Sequence, residues 1–177
     1  MGKLVYVSLT IPNEYKDEIT QITSNIQNYL STQNITFNPL NFEDLHMTLA
    51  FIGQPQSLKN KDMSSKLRLL VDKHSDEFSI NSQFEFDKYD LFPETKKNLI
   101  VARFILPKTT LSKVIELKKN VLNLNLLNEN NESFVAHITL GKILSKDKYD
   151  FKWEVLLNNT PNLSTLTPIG CHLCGLN

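Results

Sequence analysis

The chain has 177 residues, and its 19 basic side chains balance its 19 acidic ones, so that the formal net charge is zero. This length buries enough surface to fold without a disulfide framework or a metal, and the balanced charge excludes a broad cationic field for holding long nucleic acid duplexes. A small nucleotide or an RNA end remains compatible, because a pocket needs only local charge.

The first half of the chain predicts the order strand, helix, strand, helix. Residues 4–11 are rich in β-formers and lack a small-x-small cleavage site, so we expect a first strand here and not a signal peptide. Apolar residues then recur at helical spacing over about 14–32. The segment DLHMTLAFIG at 44–53 predicts a strand that Gly53 closes, and a second helix begins at Ser57.

The second half predicts a similar order with additional strands. Its elements are a half-buried strand over 78–86, an apolar strand over 99–106, a helix capped by Thr109 or Thr110, a strand over 133–144, an alternating strand over 149–157 and a last strand over 168–176. No apolar run in either half approaches the roughly 18 residues of a membrane span. We therefore expect no membrane contact.

The last predicted strand contains the only two cysteines of the chain, in the pattern Cys171-His172-x-Cys174. Three possible zinc ligands are present, but a strand points Cys171 away from the other two, and a fourth ligand would have to come from far away. We expect neither a metal nor a cofactor. Two cysteines are too few for a disulfide framework and favour a reducing compartment. We therefore expect a cytoplasmic protein. Separately, we expect a monomer.

Taken as units, the elements run strand, helix, His-x-Thr strand, twice over. This repetition predicts an α+β fold in which residues 1–177 form a single domain of two related lobes. We expect a pseudo-twofold arrangement of two antiparallel-rich sheets, flanked by helices, around a central cleft.

The two His-x-Thr segments are the candidate catalytic elements. Residues i and i+2 of a strand point to the same side, so His46 projects with Thr48, and His137 projects with Thr139. If the two lobes pack about a twofold axis, both pairs face one cleft the size of a phosphate group. The other two histidines, His74 and His172, have no such pairing and are expected to be structural or solvated.

Two imidazoles and two hydroxyls suit attack on a phosphodiester. One neutral histidine can take a proton from the nucleophile while one protonated histidine supplies a proton to the leaving oxygen, because imidazole titrates near neutrality. Threonine hydroxyls can donate hydrogen bonds to the non-bridging phosphate oxygens. No acidic cluster accompanies either histidine at metal-ligand spacing, so the predicted mechanism is metal-independent.

The segments EDLHMTLAFIG, AHITLGK and DLFPETKKNLIVARFI closely resemble the signatures of the 2H phosphoesterase superfamily, in particular its RNA 2′,3′-cyclic phosphodiesterase (2′-5′ RNA ligase-like) branch. The resemblance implies a bilobal α+β fold, no metal, and chemistry on 2′-linked phosphates. It places His46, Thr48, His137 and Thr139 on the four motif positions. The family often has proline before the second histidine, where this chain has Ala136.

Further candidate substrate contacts are aromatic or basic. Tyr6 can line the cleft from the first strand, and Phe92 can stack on a base, with ordinary packing as the alternative for both. Many family members carry a basic residue where this chain has Lys142, but alternation places Lys142 off the histidine side, so no catalytic role is expected. Lys97 and Arg103 could contact a phosphate of the substrate, with an ordinary solvated charge as the alternative for both.

The leading functional hypothesis is a phosphodiesterase that opens 2′,3′-cyclic phosphate ends of RNA or nucleotides to 2′-phosphates. We expect His46 to act as the acid and His137 as the base, although the pseudo-symmetry leaves the reverse assignment open. A second hypothesis is a 2′-5′ phosphodiesterase for small signalling nucleotides, either 2′-5′ oligoadenylate or a 2′-5′-linked cyclic dinucleotide. A third is a non-catalytic nucleotide- or RNA-binding module.

Overall fold

The computed structural model describes residues 3–78, 82–126, 134–144 and 151–176. The strands are β1 (Val5–Thr10), β2 (Phe37–Pro39), β3 (His46–Gly53), β4 (Glu85–Phe92), β5 (Leu99–Ile105), β6 (His137–Ile143) and β7 (Ile169–Cys174). The α-helices are α1 (Lys16–Thr32), α2 (Lys61–Phe78), α3 (Lys108–Asn123) and α4 (Trp153–Asn159). The predicted α+β class is confirmed.

The strands form one seven-stranded antiparallel sheet in the order β4-β5-β6-β3-β1-β7, with β2 also paired to β6. This corrects the expectation of two sheets. The two histidine strands β3 and β6 pair directly, at Met47 and Ile138, and this contact joins the strands of both halves. The order is symmetric about that pair, because β6 is followed outward by β5 and β4, and β3 by β1 and β7.

Each of the three long helices buries an apolar stripe at helical spacing. Buried members include Ile19, Ile22, Ile26 and Leu30 of α1, Leu67 and Val71 of α2, and Val114, Leu117 and Val121 of α3. Burying each such side chain contributes roughly 1.5–3 kcal/mol. Within the described ranges, none of the helices combines the length and the apolar composition that a membrane crossing requires.

His74 links two helices inside the core. Its side chain is 1% exposed, its Nδ1 lies 3.0 Å from the carboxylate of Glu77, and its Nε2 lies 3.1 Å from the amide nitrogen of Asn120 on α3. Because the Asn120 amide nitrogen can only donate, Nε2 accepts that hydrogen bond. His74 is therefore structural, one of the two expected alternatives.

The predicted strand over 78–86 begins too early. Phe78 ends helix α2 and is buried, because it continues the stripe of Leu67, Val71 and His74 at helical spacing. Residues 79–81 lie outside the described part of the chain, and the strand itself extends from Glu85 to Phe92.

The predicted strand over 149–157 is also wrong where it can be compared. Residues 149 and 150 lie outside the described ranges, and Trp153–Asn159 forms α4. Trp153, Leu156 and Leu157 pack against the core at the i, i+3, i+4 spacing of a helix. Val155, which strict alternation would bury, is 52% exposed.

Candidate active site

Strands β3 and β6 present their histidines and threonines to the same side of the sheet. His46, Thr48, His137 and Thr139 are all half-buried, whereas Met47, Leu49, Ile138 and Leu140 between and after them are buried on the other side. Because Met47 pairs with Ile138 in an antiparallel ladder, His46 lies across from Thr139 and Thr48 lies across from His137. We call the side of the sheet that carries these four residues the active face.

Each catalytic candidate is held by the backbone two residues before it. His46 Nδ1 lies 2.9 Å from the carbonyl oxygen of Asp44, and His137 Nδ1 lies 2.8 Å from that of Val135. A carbonyl oxygen can only accept, so Nδ1 carries the proton in both rings. In each neutral imidazole, Nε2 is therefore left as the proton-accepting nitrogen.

An aromatic ring packs on each of the two imidazoles. The Tyr6 ring lies 4.9 Å from the His46 ring with an interplanar angle of 25°, and the Phe92 ring lies 4.5 Å from the His137 ring at 35°. The structure thus places Tyr6 and Phe92 at the site, where they restrict the orientation of the histidines. Their contact with a substrate remains a prediction.

The surroundings of His137 favour its neutral form. Burial lowers the pKa of His137, and the charges of Arg103 and His46 lower it further, while the hydrogen bond to the Val135 carbonyl acts in the opposite direction. A lowered pKa means that His137 loses its proton at a lower pH than a free imidazole does. At neutral pH, Nε2 of His137 is therefore available to accept a proton.

A β-bulge in β6 returns Lys142 to the active face. Val101 pairs with Thr139 and Leu99 pairs with Lys142, and because Leu99 and Val101 are two residues apart, Thr139 and Lys142 point to the same side. Strict alternation predicted the opposite side for Lys142, because it did not include the extra residue that the bulge inserts. Gly141 beside it is the sequence signal that marks such a position.

Strand β3 contains a β-bulge at the equivalent position. Ser8 pairs with Thr48 and Tyr6 pairs with Phe51, so Phe51 also points to the active face, where it is 58% exposed. Phe51 and Lys142 each stand three residues after the motif threonine. Sequence reasoning did not identify Phe51, since nothing at Ala50 distinguishes a bulged strand from a regular one.

Beyond β6, the active face carries charged side chains, which we call the charged flank. Arg103 of β5 pairs with His137 in the sheet, and Lys88 of β4 pairs with Arg103. Asp90 accepts a hydrogen bond of 2.9 Å from Nη1 of Arg103, and Nζ of Lys88 lies 3.8 Å from the same carboxylate oxygen.

Beyond β3, the active face carries uncharged side chains and one histidine, which we call the neutral flank. It consists of Tyr6 and Ser8 of β1 with His172 and Cys174 of β7, since Ser8 pairs with His172 and Tyr6 with Cys174. Burial raises the pKa of Tyr6, and the hydrogen-bonded thiol of Cys174 adds to this effect. His172 is exposed, as expected, and its pairing with Ser8 places it on the active face.

The C-terminal cysteines point to opposite sides of the sheet. Cys171 is 4% exposed, and burial raises the pKa of its thiol to about 12, so this thiol stays protonated. Cys174 lies 3.5 Å from the hydroxyl of Ser8. Among the described residues, no group of three or more histidine, cysteine or acidic side chains is placed to hold a metal ion.

Comparison with known proteins places this fold among solved structures. No family model and no curated protein sequence matches the chain. Escherichia coli LigT in its apo form matches with a TM-score of 0.63 at 15% identity, covering 97% of this chain and 86% of LigT. TT0787 of Thermus thermophilus matches with a TM-score of 0.57 at 13% identity, covering 96% of this chain and 83% of TT0787.

Kluyveromyces marxianus Usb1 bound to uridine monophosphate matches with a TM-score of 0.54 at 12% identity, covering 89% of this chain and 80% of Usb1. These likenesses extend over nearly the whole chain. The chain therefore has the same fold as these proteins.

Proposed function

We propose that the chain is a metal-independent phosphodiesterase that hydrolyses 2′,3′-cyclic phosphate ends of RNA or nucleotides to 2′-phosphates. One observation carries the proposal. The two His-x-Thr strands pair side by side, and each histidine has its Nδ1 bound to a backbone carbonyl. Two proton-transfer groups and two hydroxyls therefore share one side of the sheet.

In the proposed reaction, His137 acts as the base. Its Nε2 takes a proton from water, the water oxygen attacks phosphorus, and the bond from phosphorus to the 3′-oxygen breaks. The lowered pKa of His137 favours this direction, because a base must be unprotonated at the working pH. His46, entering the cycle protonated, gives its Nε2 proton to the departing 3′-oxygen.

The negative charge that develops on the phosphoryl oxygens is stabilised by hydrogen-bond donors of the same face. Thr48 and Thr139 donate from their hydroxyls, and Lys142 adds a positive charge from its exposed position. Preorganised donors of this kind contribute about 100- to 1000-fold each in comparable sites. No step requires a group that the chain does not contain.

Nucleotide ligands are consistent with what proteins of this fold bind. LigT has been solved with 3′-AMP and with NADP+, and Usb1 with uridine monophosphate. These ligands belong to those proteins, and they support a nucleotide as the class of substrate here.

The test is hydrolysis of 2′,3′-cyclic AMP in the presence of EDTA. We expect His46→Ala and His137→Ala each to reduce kcat by about 100- to 10,000-fold, the usual contribution of one proton-transfer group. His74→Gln is the matched control, because His74 lies in the core between α2 and α3; activity per folded molecule should persist. Undiminished turnover in either active-face variant would contradict the mechanism.

The chain's zero net charge favours small nucleotides over long RNA and keeps a 2′-5′ phosphodiesterase as the second candidate. A panel of 2′-5′ oligoadenylate, a 2′-5′-linked cyclic dinucleotide and RNA with a cyclic phosphate end, assayed side by side, decides between the two substrates. Tight binding of one ligand with no product after long incubation would instead indicate a non-catalytic binding module.

A further inference from the structure

The positive charges of the active face lie on one side of the histidine pair. Arg103 occupies the sheet position directly across from His137, while the position across from His46 is occupied by Thr10. Lys88 lies across from Arg103 on the next strand. Lys142 of β6 supplies positive charge beside the histidines themselves. A ligand that binds between the histidines meets the further positive charges of Arg103 and Lys88 where it extends over β5 and β4.

Arg103 is held by a hydrogen bond that leaves part of its guanidinium group available to a ligand. Its side chain is 33% exposed, and Nη1 bonds to one oxygen of Asp90 at 2.9 Å. Within the described part of the chain, Asp90 is the only hydrogen-bond partner of this guanidinium. A guanidinium has five N–H donors in a rigid fork, so an edge suited to bidentate binding of a phosphate remains.

Asp90 does not cancel the charge of this flank. Its single carboxylate lies between Arg103 and Lys88, so the three side chains carry one net positive charge. The charge of Arg103 also reaches the catalytic pair, since it contributes to the lowered pKa of His137. Asp90 thus orients the arginine and partly neutralises it, and the remaining field attracts an anion.

The spacing of the sheet separates this charge from the first phosphate. Adjacent strands lie roughly 4.8 Å apart, so Arg103 is one strand and Lys88 two strands away from His137. A phosphate bound between the two histidines would leave room for another phosphate of the same ligand over β5 and β4.

We propose that Arg103 and Lys88 form a subsite for a second phosphate group, so that the preferred ligand is a nucleotide carrying another phosphate besides the one bound between the histidines. This inference rests on the proposed function for the position of the first phosphate. The second phosphate is either the 5′-phosphate of the same nucleotide or the diester that links it to the preceding one. Both present the same anionic oxygens to the guanidinium.

The test is calorimetric binding at one fixed ionic strength, because exposed charges are screened by salt. The ligands are adenosine 2′-monophosphate, adenosine 2′,5′-bisphosphate, and a dinucleotide ending in a 2′-phosphate. The proteins are the unaltered chain, R103Q, R103K, K88Q and R68Q. Arg68, the only other arginine, is exposed on α2 and is the matched control.

We expect the bisphosphate to bind the unaltered chain roughly tenfold or more tightly than the monophosphate, the size of one charge-assisted hydrogen bond. This gain should vanish in R103Q, shrink in K88Q, remain in part in R103K and persist in R68Q. A gain with the dinucleotide as well identifies the subsite as accepting an RNA diester; a gain with the bisphosphate alone restricts it to a terminal phosphate. The ratio of two affinities on one preparation does not depend on how much of that variant folds.

Equal affinity of the unaltered chain for monophosphate and bisphosphate, a gain retained in R103Q, or no measurable binding of any ligand would each overturn the subsite. Because these measurements need no turnover, they are independent of the catalytic test. An enzyme that hydrolyses 2′,3′-cyclic AMP without the bisphosphate gain refutes the subsite alone, whereas binding with the gain but no hydrolysis refutes the proposed reaction alone.

Discussion

The two histidines stand in nearly identical sequence segments but in different surroundings. Across the sheet from His46 lies Thr10, whereas across from His137 lies Arg103. Three residues after the motif threonine, β3 has the exposed ring of Phe51 and β6 has Lys142. The half that contains β3 thus supplies neutral and aromatic groups, and the half that contains β6 supplies positive charge.

In the proposed reaction, this difference would let one repeated unit serve two roles. Acid and base catalysis need two groups with different proton affinities at the same pH. Burial and the positive charge of Arg103 disfavour a proton on His137. The repeat provides two imidazoles in matching positions, and the residues across the sheet from them differ.

The largest expected effect separates the acid from the base. A nucleotide p-nitrophenyl phosphodiester has a leaving group that departs without protonation, so loss of the acid should matter little. We expect His46→Ala to retain activity on this substrate within about tenfold, while His137→Ala still loses about 100-fold or more. Initial rates of nitrophenolate release measure both, and the opposite pattern would reverse the assignment of the two histidines.

A second comparison concerns the bulge residues at equivalent positions, Ala50 in β3 and Gly141 in β6. A Cβ at Gly141 would lie 2.5 Å from the carbonyl oxygen of Asn38 and against the ring of Phe37, because β2 packs closely there. We expect Gly141→Ala to lower the free energy of unfolding by about 1–3 kcal/mol. Ala50→Gly, at a site that already accepts a Cβ, should cost only about 0.5–1 kcal/mol.

Denaturant titration of both variants measures this difference. Equal destabilisation by the two substitutions would show that the approach of β2 does not require glycine at position 141.

These two predictions concern features that the sequence revealed to different degrees. The side on which His46 and Thr48 lie was predictable, because alternation along a strand is a local property. The position of Lys142 was not, since a bulge inserts one residue without changing the apolar pattern, and only Gly141 marks it. The pairing of β3 with β6 involves residues far apart in the chain, so no local pattern could distinguish one sheet from two.

The helices show the same limit at their ends. In the sequence, Phe78 fits both the helical spacing of the residues before it and the alternation of the residues after it. In the structure it belongs to the buried stripe of α2. Around Trp153, apolar residues satisfy periods of two and of three to four, and packing against the core selects the helix. Arg103 and Thr10 lie across from the two histidines only because of the way the strands pair. The unequal surroundings of the two histidines therefore could not be predicted from the sequence.

A third, smaller effect concerns the rings that pack on the histidines. Phe92→Leu removes the ring 4.5 Å from His137, and we expect kcat to fall by about two- to tenfold, the contribution of one aromatic pair. Tyr6→Leu should act similarly through His46. Tyr6→Phe keeps the ring and removes only the hydroxyl bound to Cys174. If Tyr6→Phe reduced kcat as much as Tyr6→Leu, the hydroxyl and not the ring would be responsible.

The smallest expected effect is a shift in pH dependence. The Arg103→Gln variant loses a positive charge that disfavours protonation of His137, so the pKa of His137 should rise toward its ordinary value. Because the base must be neutral, the rising limb of kcat/KM against pH should move to higher pH. Arg68→Gln is the control and should leave the limb in place. A limb that stays fixed in Arg103→Gln would mean that the arginine does not act on the base.

The most direct measurement of the central claim is an experimental structure with adenosine 2′-phosphate. If the two His-x-Thr strands form one active site, Nε2 of His46 and Nε2 of His137 should both lie within about 3.2 Å of oxygens of the same phosphate group, with the hydroxyls of Thr48 and Thr139 on its remaining oxygens. A phosphate bound away from the β3–β6 pair, or contacted by only one of the two histidines, would contradict the account.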